Sequence, residues 1–122
     1  MKKAIYLAAA AVLLSAAPAH ADGRGTAGPV SIGVIGDKLK VKEVRAIMDG
    51  HEAGARARVS LWQHGKRVSS IRSWTFTDSG ETAGYKYEST TWKLHSRAFP
   101  NNSRLCVEFS GHTNRACATI HS

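Results

Sequence analysis

Residues 105–120 read LCVEFSGHTNRACATI, and the fold follows from this stretch. Apolar residues alternate with polar or small ones on both sides of a turn signal at Gly111–His112, which is the period of two antiparallel strands. A turn centred there places apolar residues opposite one another on one face and an acid opposite a base on the other. The predicted pairs are Leu105 with Ala118, Cys106 with Cys117, Val107 with Ala116, and Glu108 with Arg115.

The same register brings the two cysteines of the chain together. Directly opposed residues of antiparallel strands have Cα atoms about 4.5–5.5 Å apart, and a disulfide accepts about 4.4–6.8 Å. We therefore predict a Cys106–Cys117 disulfide that staples the C-terminal hairpin and has a structural rather than a redox role. Closing so short a loop stabilises a fold by about 3 kcal/mol or somewhat less.

The remaining segments are also typical of strands separated by turns. Val30–Gly36 alternates apolar with small residues. Leu39–Asp49 fits a helix face, but it also fits a strand with one phase slip, which is what a bulge produces. We predict the strand, because everything downstream is β, with a loop over residues 78–84. Six or seven short strands with frequent turns predict an all-β fold, a small antiparallel β-sandwich.

A second hairpin is predicted from residues 54–68, GARARVSLWQHGKRV, with a two-residue turn at His64–Gly65. This turn sets Leu61 opposite Val68 on the inward face. It sets Trp62 opposite Arg67 on the outward face, where a guanidinium can stack on the indole ring. Three further aromatic residues are predicted to lie in the core, namely Trp74, Phe76 and Trp92.

The N-terminal third divides into three parts by composition. Residues 1–21 contain Lys2 and Lys3, an apolar run and Ala19-His20-Ala21, which is the pattern of a cleaved secretion signal. The run is too short to span a bilayer, so we expect a secreted, extracellular protein. Residues 22–36 begin with DGRGTAGP and predict a flexible Gly-rich arm, and residues 37–122 form the β-sandwich domain.

Charge and motifs narrow the function classes. Without Lys2 and Lys3 the basic residues fall from 17 to 15 against nine acidic ones, so the mature chain carries about +6 and favours acidic partners. The basic residues are scattered, without an interleaved aromatic block, so nucleic acid is not expected as a partner. No later segment approaches 18 apolar residues, so a membrane is not expected as a partner either. We find no catalytic motif, no metal-ligand spacing and no cofactor signature, and we therefore expect a protein that is not an enzyme.

Two candidate binding surfaces remain. An extended segment behind a Gly-rich leash can add to a partner as a strand or enter its cleft. An outward Trp62 beside Arg67 has the composition of an interface anchor, and it could equally stack on a sugar ring. The candidate arm residues are Gly28, Pro29, Val30, Ile32 and Val34.

These features together resemble the small adaptor subunit of the umbrella toxin particles of filamentous actinobacteria. The shared features are the Ala-rich signal, the Gly-rich arm, the β-domain with residues 54–68, and residues 105–121 with their cysteine pair. The resemblance implies a non-enzymatic connector in an extracellular antibacterial complex. Its partners would be a large repeat-bearing toxin subunit and a lectin-bearing subunit with a degenerate protease-like fold, and its arm, residues 22–35, would lie in a cleft of the lectin-bearing subunit.

Two other readings stay open. The first is a secreted inhibitor of an extracellular hydrolase, because the chain also resembles bacterial amylase inhibitors. Those inhibitors usually carry more disulfides in a shorter chain, which counts against this interpretation. A cell-wall or glycan-binding module that uses outward aromatic residues is the second.

Overall fold

The computed structural model describes residues 23–122, so the predicted secretion signal lies outside the described residues. In this range the chain forms nine β-strands. They are β1 (Gly23–Ala27), β2 (Val30–Asp37), β3 (Lys40–Asp49), β4 (Arg56–Gln63), β5 (Lys66–Phe76), β6 (Asp78–Thr82), β7 (Tyr85–Ala98), β8 (Ser103–Phe109) and β9 (Arg115–Ile120).

The strands form two antiparallel sheets that pack face to face. Sheet A has the order β1-β2-β3-β7-β6, and sheet B has the order β5-β4-β8-β9. Alternate side chains of both sheets fill the space between them, and Val44, Val59 and Val107 in its centre have no exposed surface. Burying each such side chain contributes about 1.5–3 kcal/mol. The predicted all-β sandwich is confirmed.

The C-terminal hairpin has the predicted register. Leu105 lies opposite Ala118, and Cys106 lies opposite Cys117. The predicted disulfide joins these cysteines, and their Cα atoms are 4.0 Å apart, which is closer than the expected range. The bulge predicted in Leu39–Asp49 is also present, because the register of β3 against β7 shifts between Val41 and Glu43.

The structure corrects the prediction of a flexible arm over residues 22–36. From Gly23 onward these residues form β1 and β2, which pair with each other, and β2 also pairs with β3. Val30, Ile32 and Val34 are at most 3% exposed, so they are core residues and present no surface to a partner. Gly28 and Pro29 connect the two strands, and Pro29 accepts a backbone hydrogen bond from Asp49 (3.0 Å).

Gly23 and Gly25 allow close packing between the two sheets. A Cβ atom on Gly25 would collide with the backbone carbonyl of Cys117, and one on Gly23 would lie 3.3 Å from the Cβ of Ala118. Glycine therefore lets β1, the edge of sheet A, lie directly on β9, the edge of sheet B. Composition alone does not distinguish glycines that loosen a chain from glycines that admit a neighbouring backbone.

The β4–β5 hairpin turns at His64–Gly65 as predicted, with both residues at positive φ. Trp62 lies opposite Arg67 as predicted, but the register then shifts, and Leu61 lies opposite Ser69. Val68 is consequently 53% exposed instead of facing inward.

Three further predictions meet different outcomes. Trp92 lies in the core as predicted, whereas Trp74 and Phe76 are exposed, because the bulges between β4 and β5 reverse the phase of alternation. The predicted loop over residues 78–84 contains strand β6, which pairs with the start of β7.

Candidate functional site

The outer face of sheet B, on the side away from the core, carries an unusual set of side chains. Every second residue of β4 points there, and the register places the matching residues of the neighbouring strands beside them. We call this surface the arginine–aromatic face. It consists of Arg56, Arg58, Trp62, Arg67, Trp74, Phe76, Arg104, Glu108 and Arg115, together with the Cys106–Cys117 disulfide.

Arginine side chains cover aromatic rings three times on this face. The Cζ atom of Arg56 lies 5.6 Å from the ring centroid of Phe76, and that of Arg58 lies 4.6 Å from the centroid of Trp74. A guanidinium over an aromatic ring gains about 0.5–1 kcal/mol at an exposed site and about 2 kcal/mol when water is excluded. These contacts hold flexible arginine side chains in place along the sheet.

The third pair, Arg115 on Trp62, is the closest, with 3.7 Å between Cζ and the ring centroid. The two residues are separated by the row of Ser60, Cys106 and Cys117, so the Arg115 side chain reaches diagonally across this row. Trp62 was predicted to stack on a guanidinium. The guanidinium over its ring belongs to Arg115 of β9, although Arg67 lies directly opposite Trp62 in the register, as predicted.

Glu108 is the one carboxylate on this face. Arg58 donates a hydrogen bond from Nε to Oε1 of Glu108 (2.9 Å), and Arg115 lies opposite Glu108 in the β8–β9 register. Both side chains of the Arg58–Glu108 pair are partly buried, with 30% and 20% of their surface exposed. One acid against five arginines leaves the arginine–aromatic face strongly positive.

The apolar surface of the face is substantial. Phe76 is 71% exposed and Trp74 is 40% exposed. Trp62 is half-buried, and its indole Nε1 is enclosed without a hydrogen-bond partner. Exposed aromatic rings beside arginines are the composition of protein-binding surfaces, where Trp, Tyr and Arg make the largest contributions to affinity.

Sequence reasoning proposed Trp62 and Arg67 as a binding surface and placed the Glu108–Arg115 pair and the disulfide away from the apolar face of their hairpin. It missed the two most exposed aromatic residues of the arginine–aromatic face, Trp74 and Phe76. A signal for the others was present in the alternation of Arg56, Arg58 and Trp62 along β4. Residues opposite them on the next strand share their face, but the bulges between β4 and β5 hide from the sequence which residues of β5 these are.

A separate polar cluster lies at one end of the sandwich, around Glu88 of β7. Glu88 is 2% exposed, and its carboxylate accepts hydrogen bonds from Thr77 Oγ1 (2.8 Å), Ser79 Oγ (2.5 Å) and the backbone N–H of Glu52 (3.1 Å). Burial raises the pKa of Glu88, but these hydrogen bonds and the nearby His51 outweigh it, so the pKa lies below its ordinary value. The cluster ties the residues before β4 to β6 and β7.

His112 extends this cluster, because its Nε2 lies 2.8 Å from Oε1 of Glu52. The three hydrogen bonds that the Glu88 carboxylate accepts all come from other residues of the sandwich. We therefore assign the cluster a structural role at this end of the fold. Within residues 23–122 no group of three or more His, Cys, Asp and Glu side chains could hold a metal ion. In the same range no helix has the length and apolarity needed to cross a membrane.

Comparison of the chain with protein-family models, with curated proteins and with solved structures found no match in any of the three. The arginine–aromatic face therefore has to be interpreted from its own geometry and charge.

Proposed function

We propose that this protein is a secreted, non-enzymatic adaptor that binds a larger partner protein through the arginine–aromatic face. The observation that carries the proposal is the set of three guanidinium–ring contacts on one exposed sheet face. Arginines that are already held in place lose little side-chain entropy when a partner docks, and this favours binding. The excess of positive charge selects a partner with an acidic surface.

The adaptor role itself comes from the resemblance to the small subunit of the umbrella toxin particles. It supplies the expected partners, a lectin-bearing subunit and a repeat-bearing toxin subunit of an extracellular antibacterial complex. Because β1 and β2 are part of the sandwich, the proposed contact moves from residues 23–36 to sheet B. Deleting these residues would remove Val30, Ile32 and Val34 from the core, so point substitutions are the appropriate test.

The test is affinity purification of the tagged protein with culture supernatant of the producing organism, followed by mass spectrometry. The first variant, Trp74→Ala/Phe76→Ala, removes exposed rings that the core does not need, and the second, Arg115→Ala, removes the closest guanidinium. The matched control is Ile35→Ala/Arg45→Ala, which removes an exposed apolar and a basic side chain from the outer face of sheet A.

We expect the wild-type protein and the sheet A control to retain two larger secreted proteins, and the sheet B variants to lose one of them while their melting temperatures stay within a few degrees. Retention of both proteins by the sheet B variants would overturn the proposed face. Stoichiometric inhibition of a hydrolase by the pure protein, or binding to isolated cell walls, would replace the adaptor role with one of the two alternative readings.

The glycan-binding alternative is less favoured by the geometry. Sugar rings stack on the open face of an aromatic side chain, and a guanidinium already lies over Trp62, Trp74 and Phe76. Protein recognition uses the same covered rings readily, because arginine and aromatic residues then present one continuous surface with both apolar and charged parts.

A further inference from the structure

The two long sides of the sandwich differ in how their strand edges are covered. On one side β1 lies on β9, so the edges of both sheets face each other. On the other side β5 is the last strand of sheet B and pairs only with β4. In sheet A, β6 pairs with Tyr85–Ser89 of β7, so within the described chain the outer edge of β7 from Thr90 onward has no strand beside it.

The first five residues of β5, Lys66–Ser70, are all exposed. Side chains on both faces of sheet B are therefore accessible along this part of the strand. Because side chains of both orientations are exposed, sheet A does not cover this part of β5. The backbone N–H and C=O groups on the outer side of an edge strand can pair with a further strand. The bulge at Val68 interrupts the regular pairing of β5 with β4, so an added strand would have to follow this irregularity. Ser69 and Ser70 are short, and Val68 offers an apolar side chain that a neighbouring strand would cover.

The charge of β5 indicates which strand would fit. β5 reads KRVSSIRSWTF, with three basic residues and no acidic one. A second copy of β5 would bring like charges into opposed or diagonal positions, which is destabilising. The same residues attract glutamate and aspartate side chains on an incoming strand.

We propose that Lys66–Ser70 of β5 accept an extended, acidic segment of a partner protein as an additional strand of sheet B. Main-chain hydrogen bonds along the edge supply the affinity, and the basic side chains with Val68 supply the selectivity. This edge adjoins the arginine–aromatic face and shares Arg67 with it, whereas Lys66 and Val68 belong to the edge alone. A connector that binds one protein through each surface would join two partners.

The experiment uses the full mature protein and a defined probe, an acetylated and amidated octapeptide of alternating Glu and Val. Binding is followed by amide chemical shifts and by calorimetry. One control peptide replaces each Glu by Lys. A second is N-methylated at two adjacent central residues, which blocks hydrogen bonding on both edges of the peptide while its charge is kept.

The protein variant is Lys66→Glu/Val68→Glu, and its control is Arg45→Glu on the exposed outer face of sheet A. We expect the acidic peptide to shift the amides of residues 66–70. We expect the Lys66→Glu/Val68→Glu variant and the N-methylated peptide each to weaken binding by about tenfold or more, and Arg45→Glu to change it less than about twofold.

No measurable binding of the acidic peptide, equal binding of the N-methylated peptide, or shifts confined to residues of the arginine–aromatic face other than Arg67 would each overturn the proposed edge site. These results are independent of the purification test. If Trp74→Ala/Phe76→Ala loses a partner while the peptide fails to bind, the proposed binding face is supported and the proposed edge site is ruled out. If the peptide binds as expected while Trp74→Ala/Phe76→Ala and Arg115→Ala retain both partners, the proposed edge site is supported and the proposed binding face is ruled out.

Discussion

A single hydrogen atom at position 25, where other residues have a Cβ, lets β1 lie on β9. Gly25→Ala places its methyl group against the carbonyl of Cys117, which is backbone and cannot rotate away. We expect the free energy of unfolding to fall by about 1–3 kcal/mol, because β1 must move off β9. Urea unfolding followed by tryptophan fluorescence measures this change.

Gly33→Ala on β2 is the matched control for this substitution. A Cβ atom there meets no atom within 4 Å, and Gly33 lies in a strand of the same sheet. Alanine in a strand interior loses less backbone entropy than glycine, so Gly33→Ala should leave the stability unchanged or raise it by about 0.5–1 kcal/mol. Equal behaviour of the two variants would show that β1 does not need the close approach.

The C-terminal hairpin is the element whose stability depends most on one covalent bond. In Cys106→Ala/Cys117→Ala the opposed pairs Leu105–Ala118 and Val107–Ala116 remain, so the hairpin should still form. We expect the free energy of unfolding to fall by about 2–3 kcal/mol, because the loop closed by the disulfide is released. Denaturant unfolding with and without a reductant measures it.

The reductant supplies the control for the disulfide prediction. Wild-type protein should lose a similar amount of stability when it is reduced, and the alanine variant should not respond to reductant at all. A variant as stable as the oxidised wild-type protein would contradict the assigned role of the bond. Loss of the fold altogether would mean that the hairpin holds more of the sandwich together than its pairing indicates.

At the scale of elements, the sequence predicted those strands whose phase is preserved from end to end. The β8–β9 register was predictable because the apolar pairs, the opposed charges and the two sulfur atoms all require the same alignment. The β4–β5 register was predictable only near its turn. Bulges then shift the phase by one residue, and each shift exchanges the inner and outer faces, so the positions of Val68, Trp74 and Phe76 were wrong.

Contacts between the two sheets were harder to predict than contacts within one sheet. β1 reads GRGTA, which favours a loop by its local propensity, and only the packing of its glycines on β9 explains why it is a strand. The stack of Arg115 on Trp62 lies within sheet B, but it joins residues of two strands that are not neighbours, 53 positions apart in sequence. Periodicity within one segment carries no information about such contacts.

For the whole molecule, the response of stability to acid should depend on Glu88. Its pKa lies below the ordinary value in the folded state, so ionised Glu88 stabilises the fold above the pKa that it has in the unfolded chain. This stabilisation is lost as the pH falls through the folded-state pKa. In Glu88→Gln, we expect the free energy of unfolding at pH 7 to fall by about 1–3 kcal/mol, because three hydrogen bonds lose their charged acceptor.

Chemical denaturation between pH 7 and pH 3 measures this effect. The difference between wild-type protein and Glu88→Gln should shrink as the pH is lowered, and the acid limb of the variant's stability curve should be flatter. Glu81→Gln, at an exposed position of β6, is the control and should follow the wild-type curve within about 0.5 kcal/mol. If the difference in the free energy of unfolding between the two proteins were the same at every pH, Glu88 would stabilise the fold by packing and not by its charge.

The contact of β1 with β9 also fixes where the described chain starts and where it finishes in space. Gly23 lies beside Ala118 and Thr119, and the backbone of Ser122 is bonded to Asn101 in the turn before β8. Gly23 and Ser122, 99 positions apart in sequence, thus lie toward the same end of the sandwich. Residues 23–122 therefore have the geometry of an insertable cassette, which a host protein can carry within one surface loop without its own strands being forced apart.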